Sequence, residues 1–169
     1  MKTLVVYYSL EGNTRYVAER IAGALGADTL RLVPQKAYKT KGLAKFIWGG
    51  KSAVMGERPA LEPYDVDLAA YDRVVLGFPV WASNFTPPLR TFVLDNQAAL
   101  QGKELCAYAC QAGSGAEKAL EKLRACLGIS GFAAQAVFVD PKEKASPQSD
   151  AQIDAFCERL ERGAAGGAW

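Results

Sequence analysis

A chain of 169 residues, half of them apolar, can bury one well-packed core and is too short for two. Its charge is nearly balanced at +2, and with no histidine the usual residue of zinc sites and of histidine-based triads is missing, which argues against serine-hydrolase chemistry. No apolar run nears the roughly 20 residues of a membrane span, and the N-terminus lacks a small-residue cleavage site, so a cytoplasmic protein with no membrane partner is expected.

Lys2 to Tyr8 is β-rich, apolar and short enough to be one buried strand. Ser9-Leu10-Glu11-Gly12-Asn13-Thr14 then leads into an amphipathic run to Leu25, where Thr14, Val17, Ala18, Ile21 and Leu25 share one helix face. A strand delivering a small polar turn into a helix N-terminus gathers unpaired N–H groups and the positive end of the helix dipole, which suits an anion. Gly12 lets the backbone come close, Asn13 tolerates an unusual φ, and the Ser9 and Thr14 hydroxyls can donate to phosphate oxygens. The stretch reads as a phosphate cradle that uses no buried lysine, or as an ordinary strand-to-helix turn capped by Asn13. It matches neither Gly-x-x-x-x-Gly-Lys nor Gly-x-Gly-x-x-Gly.

Ala27 to Val33 is expected as a second strand, after which Pro34 opens a basic segment. Residues 36–58 carry Lys36, Lys39, Lys41, Lys45, Lys51 and Arg58 against Glu57 alone, so +5 sits here and the rest of the chain is −3. This is either a patch for an anionic ligand or partner, or a solvated loop. With only Phe46 and Trp48 interleaved, it does not resemble a nucleic-acid surface. A short helix over Gly42–Met55, broken at Gly49-Gly50, is expected within it. Beyond a proline-containing loop from Glu57 to Leu68, Asp72–Phe78 is the clearest strand, apolar without alternation as when both faces are covered. The loop Pro79-Val80-Trp81-Ala82-Ser83-Asn84-Phe85 follows. Thr86 is placed to cap a helix that opens on Pro87-Pro88 and buries Leu89, Phe92 and Val93.

Lys103–Cys110 reads as a fourth strand and Gln111-Ala112-Gly113 as the loop after it. Ser114-Gly115-Ala116-Glu117 is a capping-box pattern for a helix that turns Ala116, Leu120, Leu123 and Leu127 inward and stops at Gly128. Phe132–Val139 is the fifth strand. Ile153, Phe156, Cys157 and Leu160 stripe a terminal helix, so one domain is expected over residues 1–162 and a flexible tail over 163–169. Cys106, Cys110, Cys126 and Cys157 form no C-x-x-C pair and read as buried thiols, not metal ligands. Strands alternating with helices imply a doubly wound parallel α/β sheet with right-handed crossovers. Ligands of such sheets lie outside the carboxyl ends of the strands, where the strand order reverses. In the order 2-1-3-4-5 the loops after strands one, three and four are neighbours at that crevice, which favours the cradle reading.

These residues resemble the flavodoxin family. The matching pieces are Ser9-x-Glu11-Gly12-Asn13-Thr14, Gly77-x-Pro79-x-Trp81, the helix start Pro87-Pro88-Leu89-Arg90-Thr91-Phe92 and the turn Gln111-Ala112-Gly113-Ser114. With five strand–helix units, the resemblance covers nearly the whole chain. It implies a five-stranded flavodoxin-like fold with FMN at the switch point, a placement general to that fold. Ser9, Gly12, Asn13 and Thr14 would bind the phosphate, with Leu10 and Glu11 in the same loop. Pro79, Val80, Trp81, Ala82, Ser83 and Asn84 would lie along the isoalloxazine, with the Trp81 indole on a ring face. Gln111, Ala112, Gly113 and Ser114 would form the third cofactor loop. Asn84, or the peptide beside it, is expected near the flavin N5, because Asn reaches φ > 0 more readily than most residues.

Three departures stand out. Glu11 occupies a place where flavodoxins usually carry a hydroxyl, and a carboxylate repels a phosphate dianion unless it faces solvent or a lysine of the basic segment. The third loop lacks a covering aromatic, so one flavin face is open or is covered by Trp48. The chain also lacks the strong acidity that steers many electron-shuttling flavodoxins to basic partners. The resemblance implies electron transfer through non-covalent FMN, to a redox partner protein. The alternative within the fold is an NAD(P)H-dependent reductase passing electrons to a quinone-type acceptor. Monomer and homodimer are both compatible with the sequence. From another class, a non-redox signalling or interaction module of receiver type would want clustered acids at strand ends; none follows strand one, and Asp72 precedes strand three.

Overall fold

The sheet holds five parallel strands, β1 (Thr3–Tyr7), β2 (Asp28–Arg31), β3 (Arg73–Pro79), β4 (Glu104–Gln111) and β5 (Ala134–Val139), in the order β2-β1-β3-β4-β5. The computed structural model describes residues 1–38 and 49–165. Among these the helices are α1 (Asn13–Leu25), α2 (residues 49–54), α3 (Pro87–Asp95), α4 (Gln97–Leu100), α5 (Ala116–Leu127) and α6 (Pro147–Ala165). No helix among the described residues is long and apolar enough to cross a membrane.

The strand order follows from what each strand buries. Between their polar first residues and tips, β1, β3 and β4 are apolar without alternation because both of their faces are covered. Leu4, Val6, Leu76, Phe78 and Ala107 point toward α3 and α5, where Leu89, Phe92, Leu120 and Leu123 complete one core. Val5, Val75, Cys106 and Tyr108 point the other way, toward Val17 and Ile21 of α1 and Ile153, Phe156 and Leu160 of α6. β2, mostly exposed, forms one edge and β5 the other.

Two contacts tie this frame to the strand tips. At the amino ends, the buried Arg73 guanidinium pairs across the β3–β4 register with Glu104, its Nε 2.6 Å from Oε1. Nearer the carboxyl ends, the wholly buried Tyr108 phenol crosses Gly77, its partner in register, and donates a 2.9 Å hydrogen bond to the Thr14 carbonyl oxygen. A Cβ at Gly77 would collide with that phenol, so the missing side chain makes room for the crossing.

Several local expectations are corrected. Thr86 sits at the N-cap of α3, but its side chain caps nothing. Prolines at the first two helical positions have no N–H to donate to it, while the Thr86 carbonyl accepts the Arg90 N–H at 3.1 Å as the first intrahelical bond. The capping box at Ser114 does not form. Gly115 is the N-cap of α5, at a φ of 99°, and the Gln111 side-chain oxygen reaches back to accept the Ala116 N–H at 3.0 Å. Gly49 and Gly50 belong to the helical residues 49–54, while residues 42–48 of the expected helix lie outside the described residues. Cys106, Cys110 and Cys157 are buried free thiols, but Cys126 is only half-buried because it lies on the rim of α5. α6 runs two residues past Gly163.

Candidate functional site

A cavity of about 470 Å³ opens over the tips of β1, β3 and β4. From the first loop it is lined by Ser9, Leu10, Glu11, Asn13 and Thr14; from the second by Pro79, Val80, Trp81 and Ala82; from the third by Gln111 and Ala112. The three loops meet because β1 and β4 both flank β3, so their carboxyl ends share one edge. Ser83, Gly113 and Ser114 line an adjoining shallow depression with Gln111. Gly12 and Asn84 belong to the backbone turns that shape the cavity without lining it.

The first loop is built as a donor-rich turn. Gly12 takes the N-cap of α1 at a φ of 104°. The Gly12 and Arg15 N–H groups both donate to Ser9 Oγ, at 3.2 Å each, which leaves the Ser9 hydroxyl proton as a donor. The Tyr16 N–H closes the first intrahelical bond on the Gly12 carbonyl, so the Asn13 and Thr14 N–H groups have no acceptor within the helix. Thr14, 1 % exposed, lines the cavity, and its buried Oγ1 lies beside the Cys110 thiol without a hydrogen bond of good geometry. Asn13 does not cap α1; its Oδ1 accepts the Lys142 and Glu143 backbone N–H groups at 2.9 and 3.3 Å.

The second loop is a two-residue turn. The Trp81 N–H donates to the Asn84 carbonyl at 3.1 Å and the Asn84 N–H to the Trp81 carbonyl at 2.9 Å. Between them Ala82 and Ser83 both have positive φ, 49° and 58°. That geometry belongs to a type I′ turn, which favours Asn and Gly, and it is strained for Ala and Ser. The left-handed residues are therefore Ala82 and Ser83, not Asn84, whose Nδ2 instead donates to the Ala82 carbonyl at 2.8 Å. The Trp81 indole is held edge-to-face by Tyr8, centroids 5.6 Å apart, and by Tyr38, at 5.0 Å. Gly49 packs on the same indole, where a Cβ would lie 3.2 Å from Cε3.

Four cavity-lining residues went unread in the sequence: Gly50, Cys110, Asp140 and Glu143. Cys110 follows from strand alternation, since Cys106, Tyr108 and Cys110 face the α1–α6 side together. Burial pushes its thiol up to about 12, so it stays neutral. Asp140 and Glu143 come from the turn after β5. The signal for them is that α1 and α6 cover one face, so the chain leading into α6 must pass the start of α1. Lys39, Lys41, Lys45 and Trp48 of the basic segment lie outside the described residues.

A doubly wound sheet with a donor-rich turn, an indole and a cavity at its topological switch point defines the class: an α/β protein built to hold a nucleotide-like ligand at its strand tips. A family model described as flavodoxin matches residues 2–142, and the chain belongs to that family. Among solved structures it is similar to a flavoprotein of Lactobacillus acidophilus NCFM in complex with FMN, with 18% identity, a TM-score of 0.72, and 92% of this chain and 97% of that one covered. The apo form of the Lactobacillus acidophilus flavoprotein matches at 19% identity and a TM-score of 0.64, over 85% of this chain and 95% of that one. The two-electron reduced flavodoxin of Megasphaera elsdenii matches at 16% identity and a TM-score of 0.59, over 93% and 99%.

Proposed function

We propose that this chain binds FMN non-covalently in the cavity and transfers electrons through it to a redox partner protein. The observation that carries the reading is Thr14, which lines a cavity that also holds an indole and whose buried hydroxyl, beside the Cys110 thiol, makes no hydrogen bond of good geometry. Leaving such a group unsatisfied costs about 1–3 kcal/mol, and a phosphate oxygen placed there would remove the cost. Ser9, the first turn of α1 and Thr14 supply hydroxyl and N–H donors for that phosphate. Trp81, fixed by Tyr8, Tyr38 and Gly49, supplies a flat apolar surface for a tricyclic ring. When bound, the flavin supplies the electron chemistry, while the chain's residues orient it and exclude water. The Cys110 thiol, held protonated, takes no part as a nucleophile.

Titrating the purified protein with FMN tests this. Quenching of flavin fluorescence at one equivalent, weakened in Thr14→Val, is expected; unchanged fluorescence contradicts the reading. The third loop favours a second reading, a hydride-accepting reductase using NAD(P)H. Ala112, Gly113 and Ser114 are exposed and offer no ring to cover the outer side of the cavity. Anaerobic mixing of the FMN-loaded protein with NADH or NADPH separates the two readings. Rapid bleaching supports the reductase, and a stable yellow colour supports the carrier.

A further inference from the structure

The turn after β5 reaches the cavity, which Asp140 and Glu143 line. Asp140 leaves the strand at a φ of 39°, and the next residues dock on α1 through the two N–H bonds to Asn13 Oδ1. This brings the Lys142 ammonium over the first turn, 2.9 Å from the position a Cβ at Gly12 would take, with Cδ at 3.3 Å. Any side chain at position 12 would displace it.

The charges around the turn are unevenly matched. Glu11, Asp140 and Glu143 all line the cavity. Lys144 is held by Asp140, at 2.8 Å, and Arg15 by Glu19, at 2.7 Å. Arg31 approaches from the β2 side and reaches the Ser9 carbonyl at 3.4 Å. Lys142 makes no ion pair among the described residues. A dianion at the turn would be drawn by the α1 N-terminus and by Thr14 Oγ1, and repelled by the Glu143 carboxylate that lines the cavity. An unengaged ammonium directly over Gly12 is the group placed to reverse that repulsion.

We propose that Lys142 is the phosphate counter-charge of this site, the residue by which it prefers a phosphorylated flavin to an unphosphorylated one. The inference rests on the FMN reading above and adds to it a residue from outside the three cofactor loops.

The test compares FMN with riboflavin, by fluorescence quenching, in wild type, Lys142→Gln and Lys142→Arg at low and high salt. Lys142→Gln is expected to weaken FMN about tenfold to a hundredfold, as for loss of one charge-assisted hydrogen bond, and to leave riboflavin within about twofold. Lys142→Arg should recover most of the loss, and the wild type's preference for FMN should shrink as salt is raised. Equal weakening of both flavins, or undiminished FMN affinity in Lys142→Gln, overturns the assignment. A wild type that binds both flavins equally also overturns it while leaving the cofactor reading standing, whereas one that binds neither removes both.

Discussion

Replacing Gly77 by alanine probes the link between the core and the cradle. The added methyl would collide with the Tyr108 phenol, which is wholly buried and hydrogen-bonded to the Thr14 carbonyl. Either the phenol moves and its bond is lost, or β3 and β4 are forced apart. Overpacking of this kind costs about 1–3 kcal/mol, and the lost bond adds about 0.5–1.5 kcal/mol. Gly77→Ala should therefore destabilise by roughly 2–4 kcal/mol, which lowers Tm by about 5–15 °C in a domain of this size. Tyr108→Phe alone should cost about 1 kcal/mol. In a Tyr108→Leu background, where the colliding end of the ring is gone, adding Gly77→Ala should cost under about 1 kcal/mol. Urea unfolding of the four proteins in that double-mutant cycle gives the coupling directly, expected at about 2 kcal/mol. Costs that add within about 0.5 kcal/mol would refute the reasoning. Because Thr14 Oγ1 rides on the same turn, Gly77→Ala should also weaken FMN.

Glu11→Thr is expected to tighten FMN severalfold and leave riboflavin unchanged; a weaker FMN complex would show a constructive role for the carboxylate. Glu104→Ala leaves the Arg73 guanidinium buried and should cost about 2–3 kcal/mol in urea unfolding, below the full value for a buried pair because the Glu104 side chain is partly exposed. Burial also holds the Cys106 and Cys157 thiols up to about 11 and Cys110 up to about 12, against an ordinary 9.0. Below pH 9 both folded and unfolded forms keep these protons and the contribution is intact. Above it the unfolded chain releases them first, so Tm should fall steadily from about pH 9 toward pH 12. Fast labelling of Cys110 by a thiol reagent at neutral pH would contradict this.

The fold was legible because burial on both faces leaves a plain mark. β1, β3 and β4 lack alternation, and the helices between them each show one apolar stripe. The order β2-β1-β3-β4-β5 then put three polar loops on one edge, and the structure gathers parts of all three at one cavity. Cap chemistry was less legible, since residue type permits a cap without imposing it. Thr86 is followed by two prolines with nothing to donate, and at α5 a glutamine from the preceding strand takes the place of Ser114. The turn after β5 escaped notice for a tertiary reason. Its strand lies at the sheet edge, and only the packing of α6 beside α1 brings Lys142 and Glu143 over Gly12 and Asn13. Likewise, nothing local marks Gly49 as the residue that seats against Trp81.

A crystal structure of the protein grown with FMN puts the central claim to its most direct test. Density for the phosphate is expected within hydrogen-bonding distance of Ser9 Oγ and Thr14 Oγ1, with the ring system against the Trp81 indole. Flavin density away from the tips of β1 and β3, or a phosphate turned to solvent on the far side of Trp81, would contradict it.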